Sequence, residues 1–336
     1  MCIRDRSLLY AFGTPVFFRT AYLNQNLGLG IFAFLAFALI WNPQRLVDWS
    51  ARRRLFVAGL LGGLAFLCDY SGAILTGLLG LYAWWRSADE DGLWGGFRRS
   101  LWYLAGAIPG ILILWQYQWA SFGNPFYPPQ HWMAPVEWMD VGYQGVGGLS
   151  LELLRMLLAD PRFGLLFAMP MTLLALGTPW LIRQRRSALP AREFAVCVVT
   201  SVALILFFAT VQYTRLQWNT GIRYLAPVFP FLFLALVPML LALPRIITYG
   251  VAFASIALSW SMAMARSQGT VVENIQRVII EGFQLPWLTV LTRMSAQYLP
   301  WFRGNVSALA AFVMGAILIW IIWRVEDPWR RSDASA

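Results

Sequence analysis

WNTGIRYLAPVFPFLFLALVPMLLALP, residues 218–244, carries a single charged side chain, Arg223, at the head of a long apolar run. Crossing the hydrocarbon core of a bilayer takes about 20 predominantly apolar residues, folded so that the backbone hydrogen-bonds to itself. The pattern recurs along the chain. Residues 101–119, 163–182, 194–214 and 304–323 carry no charge, and Arg245 is the only charge in 225–265. These windows read as transmembrane helices. The expected fold is all-α, a polytopic transmembrane helical bundle of about nine or ten hydrophobic segments with irregular extracytoplasmic loops.

Composition supports the same reading. Of 336 residues, 59% are hydrophobic and 12% charged, about half the charge of a soluble domain. The net charge of +10 comes from arginine alone. In a soluble protein that balance would suggest nucleic acid. Here the arginines punctuate apolar segments, so they report membrane orientation and no nucleic-acid partner is expected. Cys2, Cys68 and Cys197 form no CxxC spacing, and His131 is the sole histidine. Zinc sites and histidine-dependent triads therefore have little to draw on.

The first six residues, MCIRDR, resemble adapter sequence read as protein. Residues 1–6 are expected to be non-native, with native sequence missing upstream of Ser7. Residues 7–324 read as one membrane domain and 325–336 as a cytoplasmic tail. Under the positive-inside rule, residues 41–54 with Arg45, Arg52, Arg53 and Arg54 face the cytoplasm, as do 84–99 with Arg86, Arg98 and Arg99. The 31 residues from Leu55 to Trp85 are too few for two full spans, which need about 40. Two shortened helices meeting near Asp69-Tyr70-Ser71-Gly72 fit better. The loop 120–150 holds no arginine and reads as external, whereas IRQRRSALPAR reads as cytoplasmic. Residues 225–243 return inward, turn at Pro244-Arg245, and 246–265 lead out again. This threading puts Arg19, Asn24, Gln25, Asp69, the His131 loop and Arg223 on the outer side.

Each polar feature has two readings. In AFGTPVFFRTAYLNQN, Arg19 either snorkels to headgroups or lines a polar cavity with Asn24 and Gln25. Asp69, in LAFLCDYSGAIL, either caps the second half-helix or marks a functional carboxylate at membrane depth. The aromatic loop QYQWASFGNPFYPPQHWMAPVEWMDVGYQG fits an interfacial belt or a platform for sugar rings, with His131, Glu137 and Asp140 as its polar candidates. Arg223 carries the sharpest signal. Trp218 and Asn219 precede it, Gly221 permits close approach, and Pro227 opens the next helix. A guanidinium beside a helix N-terminus favours a phosphate of a lipid headgroup or lipid carrier.

Four segments together, FGTPVFFRT, AGLLGGLAFLCDYSGAIL, FGNP with DPRFGLLFAMP, and WNTGIRYLAPVFPF, occur in the order seen in the GT-C superfamily. The chain resembles these integral-membrane glycosyltransferases, such as protein O-mannosyltransferases and aminoarabinose transferases, from Leu8 to Leu243. The resemblance implies a polyprenyl-phosphate sugar donor, membrane lipid surroundings and transfer with inversion. The acceptor would be a lipid, glycan or protein at the outer face of a prokaryotic cytoplasmic membrane. It places Arg223 and Tyr224 on the donor phosphate, with Arg19 as a second contact. It names no organic cofactor and leaves a divalent cation open. The family's acidic base lies in the first external loop, which this chain lacks, so Asp69 is the remaining carboxylate candidate and the fragment is expected to be inactive alone. Two rivals remain: a transporter or lipid flippase, and an O-antigen ligase-like enzyme using His131 with Arg223.

Overall fold

The computed structural model describes residues 3–20, 24–217, 219–265, 269–282 and 313–321. Among them the chain is helical, and no strand forms beyond isolated bridges from Val146 to Tyr143 and Val211. The all-α class expected from the apolar windows is what the chain adopts.

The helices begin and end where local chemistry dictates. Helix α1 (Ile3–Gly13) breaks before α2 (Pro15–Arg19), where the Thr14 hydroxyl accepts from the Val16 amide at 3.3 Å and Pro15 starts the turn. Helix α3 (Gln25–Trp41) ends on Asn42 in the left-handed region. Helix α4 (Ala51–Cys68) is capped by Ser50, whose hydroxyl accepts from the Arg53 amide at 3.3 Å. Helix α5 (Gly72–Phe122) reverses at Gly92, with φ of +71°, and so consists of two arms, 72–91 and 93–122. The two helices expected between the basic segments are α4 and the first arm of α5, and they meet at Asp69–Ser71 as expected; neither is shortened, because α4 takes in Arg52–Arg54 and the α5 arm takes in Arg86.

Helices α4 and α5 pack backbone to backbone. A Cβ on Gly59 would lie 1.9 Å from the Tyr103 carbonyl oxygen, and one on Gly106 2.0 Å from that of Phe56. One on Gly110 would meet the Gly63 carbonyl at 2.4 Å. Gly59 and Gly63 are four apart, as are Gly106 and Gly110. Such small-residue pairs let helices approach closely where dispersion and weak polar contacts must hold them together.

Two apolar windows depart from the expectation of continuous helices. Residues 163–182 form α6's successor in pieces: after α6 (Leu151–Ala159) come α7 (Leu165–Ala168), a 3-10 segment Pro170–Gly177 and α8 (Thr178–Arg183). Pro170 and Pro179 lack an amide hydrogen and each restarts a helix instead of continuing one. Residues 225–243 open with a 3-10 turn, Ala226–Val228, so α10 (Phe229–Ala242) has 14 residues. Helices α9 (Ala191–Phe208) and α11 (Arg245–Met264) are the described ones long and apolar enough to cross a membrane. Helix α12 (Val271–Glu281) carries a capping box between Thr270 and Glu273. Most of the expected last helix, 305–323, and the tail, 325–336, lie outside the described residues; 313–321 is helical.

The core lies where α3, the first arm of α5 and α10 meet. The Phe37 ring sits 5.5 Å from Tyr82 and 5.8 Å from Phe231, and Leu29, Leu75, Leu79 and Leu236 are fully enclosed around them. This core holds the bundle ends apart. At one end lie the start of α4, the reversal of α5 and the start of α9; at the other lie Asp69, the start of α3, the end of α9 and the Arg223 turn.

Candidate functional site

The turn before α10 is built by three of the motif segments. Gly221, at φ of +91°, donates its amide to the Arg162 carbonyl at 2.6 Å, and a Cβ there would meet the Phe18 ring at 2.8 Å. Arg162 belongs to a turn fixed by Asp160, whose Oδ1 accepts from the Arg162 and Phe163 amides at 2.7 and 3.1 Å. Arg19 reaches in from α2, 5% exposed. Its Nε donates to the Ile222 carbonyl at 3.0 Å, and its Nη2 donates to the Gly221 carbonyl. A buried guanidinium held on backbone carbonyls positions this turn. Snorkelling is not what Arg19 does, and its Nε and Nη2 are directed at the peptide backbone.

Arg223 follows directly. Its amide donates to Gln217 Oε1 at 3.0 Å, and its guanidinium lies 5.5 Å from the centre of the Tyr224 ring. Among the described residues no carboxylate pairs with it. Tyr224 packs against Phe208 and Tyr213 with ring centres 5.5 and 5.7 Å apart, and its hydroxyl donates to the Leu216 carbonyl at 3.4 Å.

Asp69 faces the same cluster from the end of α4. Its Oδ1 accepts from the Ser71 amide and hydroxyl at 2.8 and 2.6 Å, so it does cap the turn into α5. The other oxygen has no protein donor among the described residues. Asp69 is close enough to act on both tyrosines. Burial pushes the Tyr213 hydroxyl up from its ordinary value, and Asp69 and then Tyr224 push it further. Burial likewise raises Tyr224; Arg223 pulls it back and Asp69 adds to the rise. The charges of Asp69 and Arg223 thus act on the Tyr224 hydroxyl in opposite directions, and among the described residues neither side chain has an ion-pair partner. Tyr70, raised by burial and by Asp69, takes a hydrogen bond from Gln118 of the second α5 arm.

The remaining candidates divide. Asn24 caps α3, its Oδ1 accepting from the Asn26 amide at 3.0 Å, and Gln25 is exposed beside it. Asn219 is half-buried in the turn before Arg223, and Trp218 lies outside the described residues. His131, Glu137 and Asp140 are exposed, and His131 stacks on Tyr127 at 4.5 Å. The aromatic loop meets the cluster through Trp138 instead, whose ring is 5.7 Å from Tyr213. Tyr70, Gln118, Tyr213 and Gln217 belong to the cluster and were not singled out from the sequence. Their signal was modest: polar residues closing apolar runs on the same predicted side. Asn26 Oδ1 and Gln217 Nε2 are enclosed without a hydrogen-bond partner. Among the described residues no three His, Cys, Asp or Glu side chains gather as a metal-binding group.

Compared with family models, curated proteins and solved structures, the chain finds no match.

Proposed function

We propose that this chain is an integral-membrane glycosyltransferase that moves a sugar from a polyprenyl-phosphate donor to a hydroxyl-bearing lipid, glycan or protein acceptor. The observation that carries the reading is that Asp69 and Arg223 both act on Tyr224, the Arg223 guanidinium 5.5 Å from its ring, with no ion-pair partner for either among the described residues. Arg223 takes the donor phosphate, which its planar donors suit. Asp69 Oδ2 takes the proton of the acceptor hydroxyl as that oxygen bonds to the anomeric carbon. The bond from that carbon to the phosphate oxygen breaks, and polyprenyl phosphate leaves with the electron pair toward Arg223. Attack opposite the leaving group inverts the anomeric centre.

The membrane setting, with the chain threaded as a polytopic bundle in a prokaryotic cytoplasmic membrane, draws on the outer surface. On α11, Ile246 is 83% and Phe253 77% exposed. Leu104, Ile108, Leu112 and Ile113 are exposed along the second arm of α5. An exterior this apolar is what acyl chains cover, and soluble monomers rarely present it. Helices α9 and α11 have the length to span. The Asp69–Arg223 end would face outward, because the arginine-rich loops gather at the other end.

The test is transfer from polyprenyl-phosphate sugars by membranes holding the full-length protein. Arg223→Ala should abolish transfer at unchanged protein level, and retained transfer removes Arg223 from the site. Asp69→Asn should lower the rate by about 10²-fold or more, the scale of general-base catalysis. An unaltered rate leaves Asp69 as a helix cap alone.

A further inference from the structure

At the arginine-rich end two cavities adjoin, sharing Trp41 and Arg86 in their walls. The smaller, about 340 Å³, is lined by Asn42, Arg45, Arg54, Arg86, Glu90 and Arg99 among others. Four guanidiniums thus face one carboxylate. Two of them are neutralised within the fold: Arg99 pairs with Glu90 and Asp91 at 2.5 Å each, and Arg86 lies 3.6 Å from Glu193. Arg45 and Arg54 have no carboxylate partner among the described residues. Arg54 donates through Nη1 to the Leu39 carbonyl at 3.1 Å, while its Nε is closed off from solvent and has no hydrogen-bond partner among the described residues. Burial disfavours its charge most; Glu90 supports it, and Arg86 and Arg99 repel it.

The backbone around Arg45 is unusual. Asn42, Gln44 and Arg45 all have positive φ, at 48°, 50° and 57°. Such residues persist where the surroundings hold them; here the Asn42 side chain brackets Val47, accepting from its amide at 3.0 Å and donating to its carbonyl at 3.2 Å. The larger cavity, about 640 Å³, has more apolar wall, with Trp41, Trp85, Pro190, Ala191 and Ala195 beside Arg86, Arg192 and Glu193. Around this end Leu46, Leu93, Trp94 and Phe97 are exposed, and aromatic and apolar residues flanking arginines mark a membrane–water interface.

We infer that these cavities bind an anionic phospholipid, its phosphate on Arg45 and Arg54 and an acyl chain leaving along the neighbouring apolar cavity. The guanidiniums of Arg45 and Arg54, without a carboxylate among the described residues, explain why the guest is an anion, and the bidentate reach of guanidinium explains why it is a phosphate. The adjoining apolar space selects a lipid over a free phosphate. Basic pockets between helices near a membrane surface are suited to such headgroups. The site lies at the start of α4, about 27 Å from Asp69 by the rise of that helix, and depends on the membrane setting but not on the transferase activity.

The experiment uses the full chain purified in detergent, with phosphatidylglycerol, phosphatidylcholine and inorganic phosphate as probes, read by native mass spectrometry and thermal unfolding. Phosphatidylglycerol should bind and raise the unfolding midpoint, with phosphatidylcholine at least about tenfold weaker. Arg45→Gln with Arg54→Gln should weaken phosphatidylglycerol by about tenfold or more, since each charge-assisted bond contributes on that scale. Arg45→Lys with Arg54→Lys, which keeps the charge and guards against a folding defect, should retain preference for the anionic lipid. Equal binding by the glutamine variant overturns the site. Protection by inorganic phosphate equal to that by the lipid overturns the lipid assignment.

Discussion

At the residue scale, Arg19 and Arg223 show how alike two arginines look in sequence and how differently they are used. Both flank apolar runs. Arg19 is spent on the Gly221 and Ile222 carbonyls, while Arg223, next in the chain, keeps its guanidinium for the Tyr224 face. The tyrosines beside it report the local field. Tyr70, Tyr213 and Tyr224 are all raised above their ordinary value, by burial first. A raised tyrosine binds its proton more tightly folded than unfolded, so its stabilising contribution is complete below about pH 10. It is lost as pH climbs through the folded value. Ultraviolet titration should therefore find tyrosines still protonated above pH 10 in the native chain, with Asp69→Asn easing the ionisation of that subset. A native curve matching the unfolded one would rule this field out.

At the element scale, α4 and α5 stand on glycine. The close approach of Gly59, Gly63, Gly106 and Gly110 leaves no room for a side chain, and the paired helices carry Asp69 and Gln118 to the same end. Gly63→Leu should force the helices apart and cost several kcal/mol, as overpacking does when backbone cannot yield, at about 1–3 kcal/mol or more. Gly77→Leu is the control, since a Cβ there meets nothing within 4 Å. Size-exclusion profile and unfolding midpoint in detergent distinguish them; equal behaviour would show that the interface tolerates bulk. Glycine spacing was visible in AGLLGG and AGAIPG, but a sequence does not say which glycine faces which backbone. The broken segment 163–182 was also readable in part. Its apolarity suggested one span, yet Pro170, Gly177 and Pro179 end and restart helices, and the apolar count outweighed them in the reading.

At the scale of the whole molecule, the chain has two chemically distinct ends. Arg45, Arg54, Arg86, Arg99 and Arg192 gather at one, around the α5 reversal; Asp69, Tyr213, Tyr224 and Arg223 gather at the other. A membrane between them makes a topological prediction. Single cysteines replacing Trp94 and Phe126, both exposed, in a background with Cys2, Cys68 and Cys197 changed to Ser, should label from opposite faces of sealed vesicles. Labelling from one face would break the proposed threading.

What the sequence determined by itself is the helical class and the alternation of apolar runs with arginine-rich turns. These follow from local terms, hydropathy and the charge at segment ends, which act within one or two turns of helix. Only the tertiary structure decided which arginine is spent on backbone, which loop residue reaches Tyr213, and that Asp69 and Arg223 share Tyr224. Those pairings, Arg19 with Ile222, Trp138 with Tyr213 and Asp69 with Tyr224, join residues 203, 75 and 155 positions apart. They depend on how α3, α4, α5, α9 and α10 pack, where glycine contacts and buried rings fix distances that no local pattern encodes.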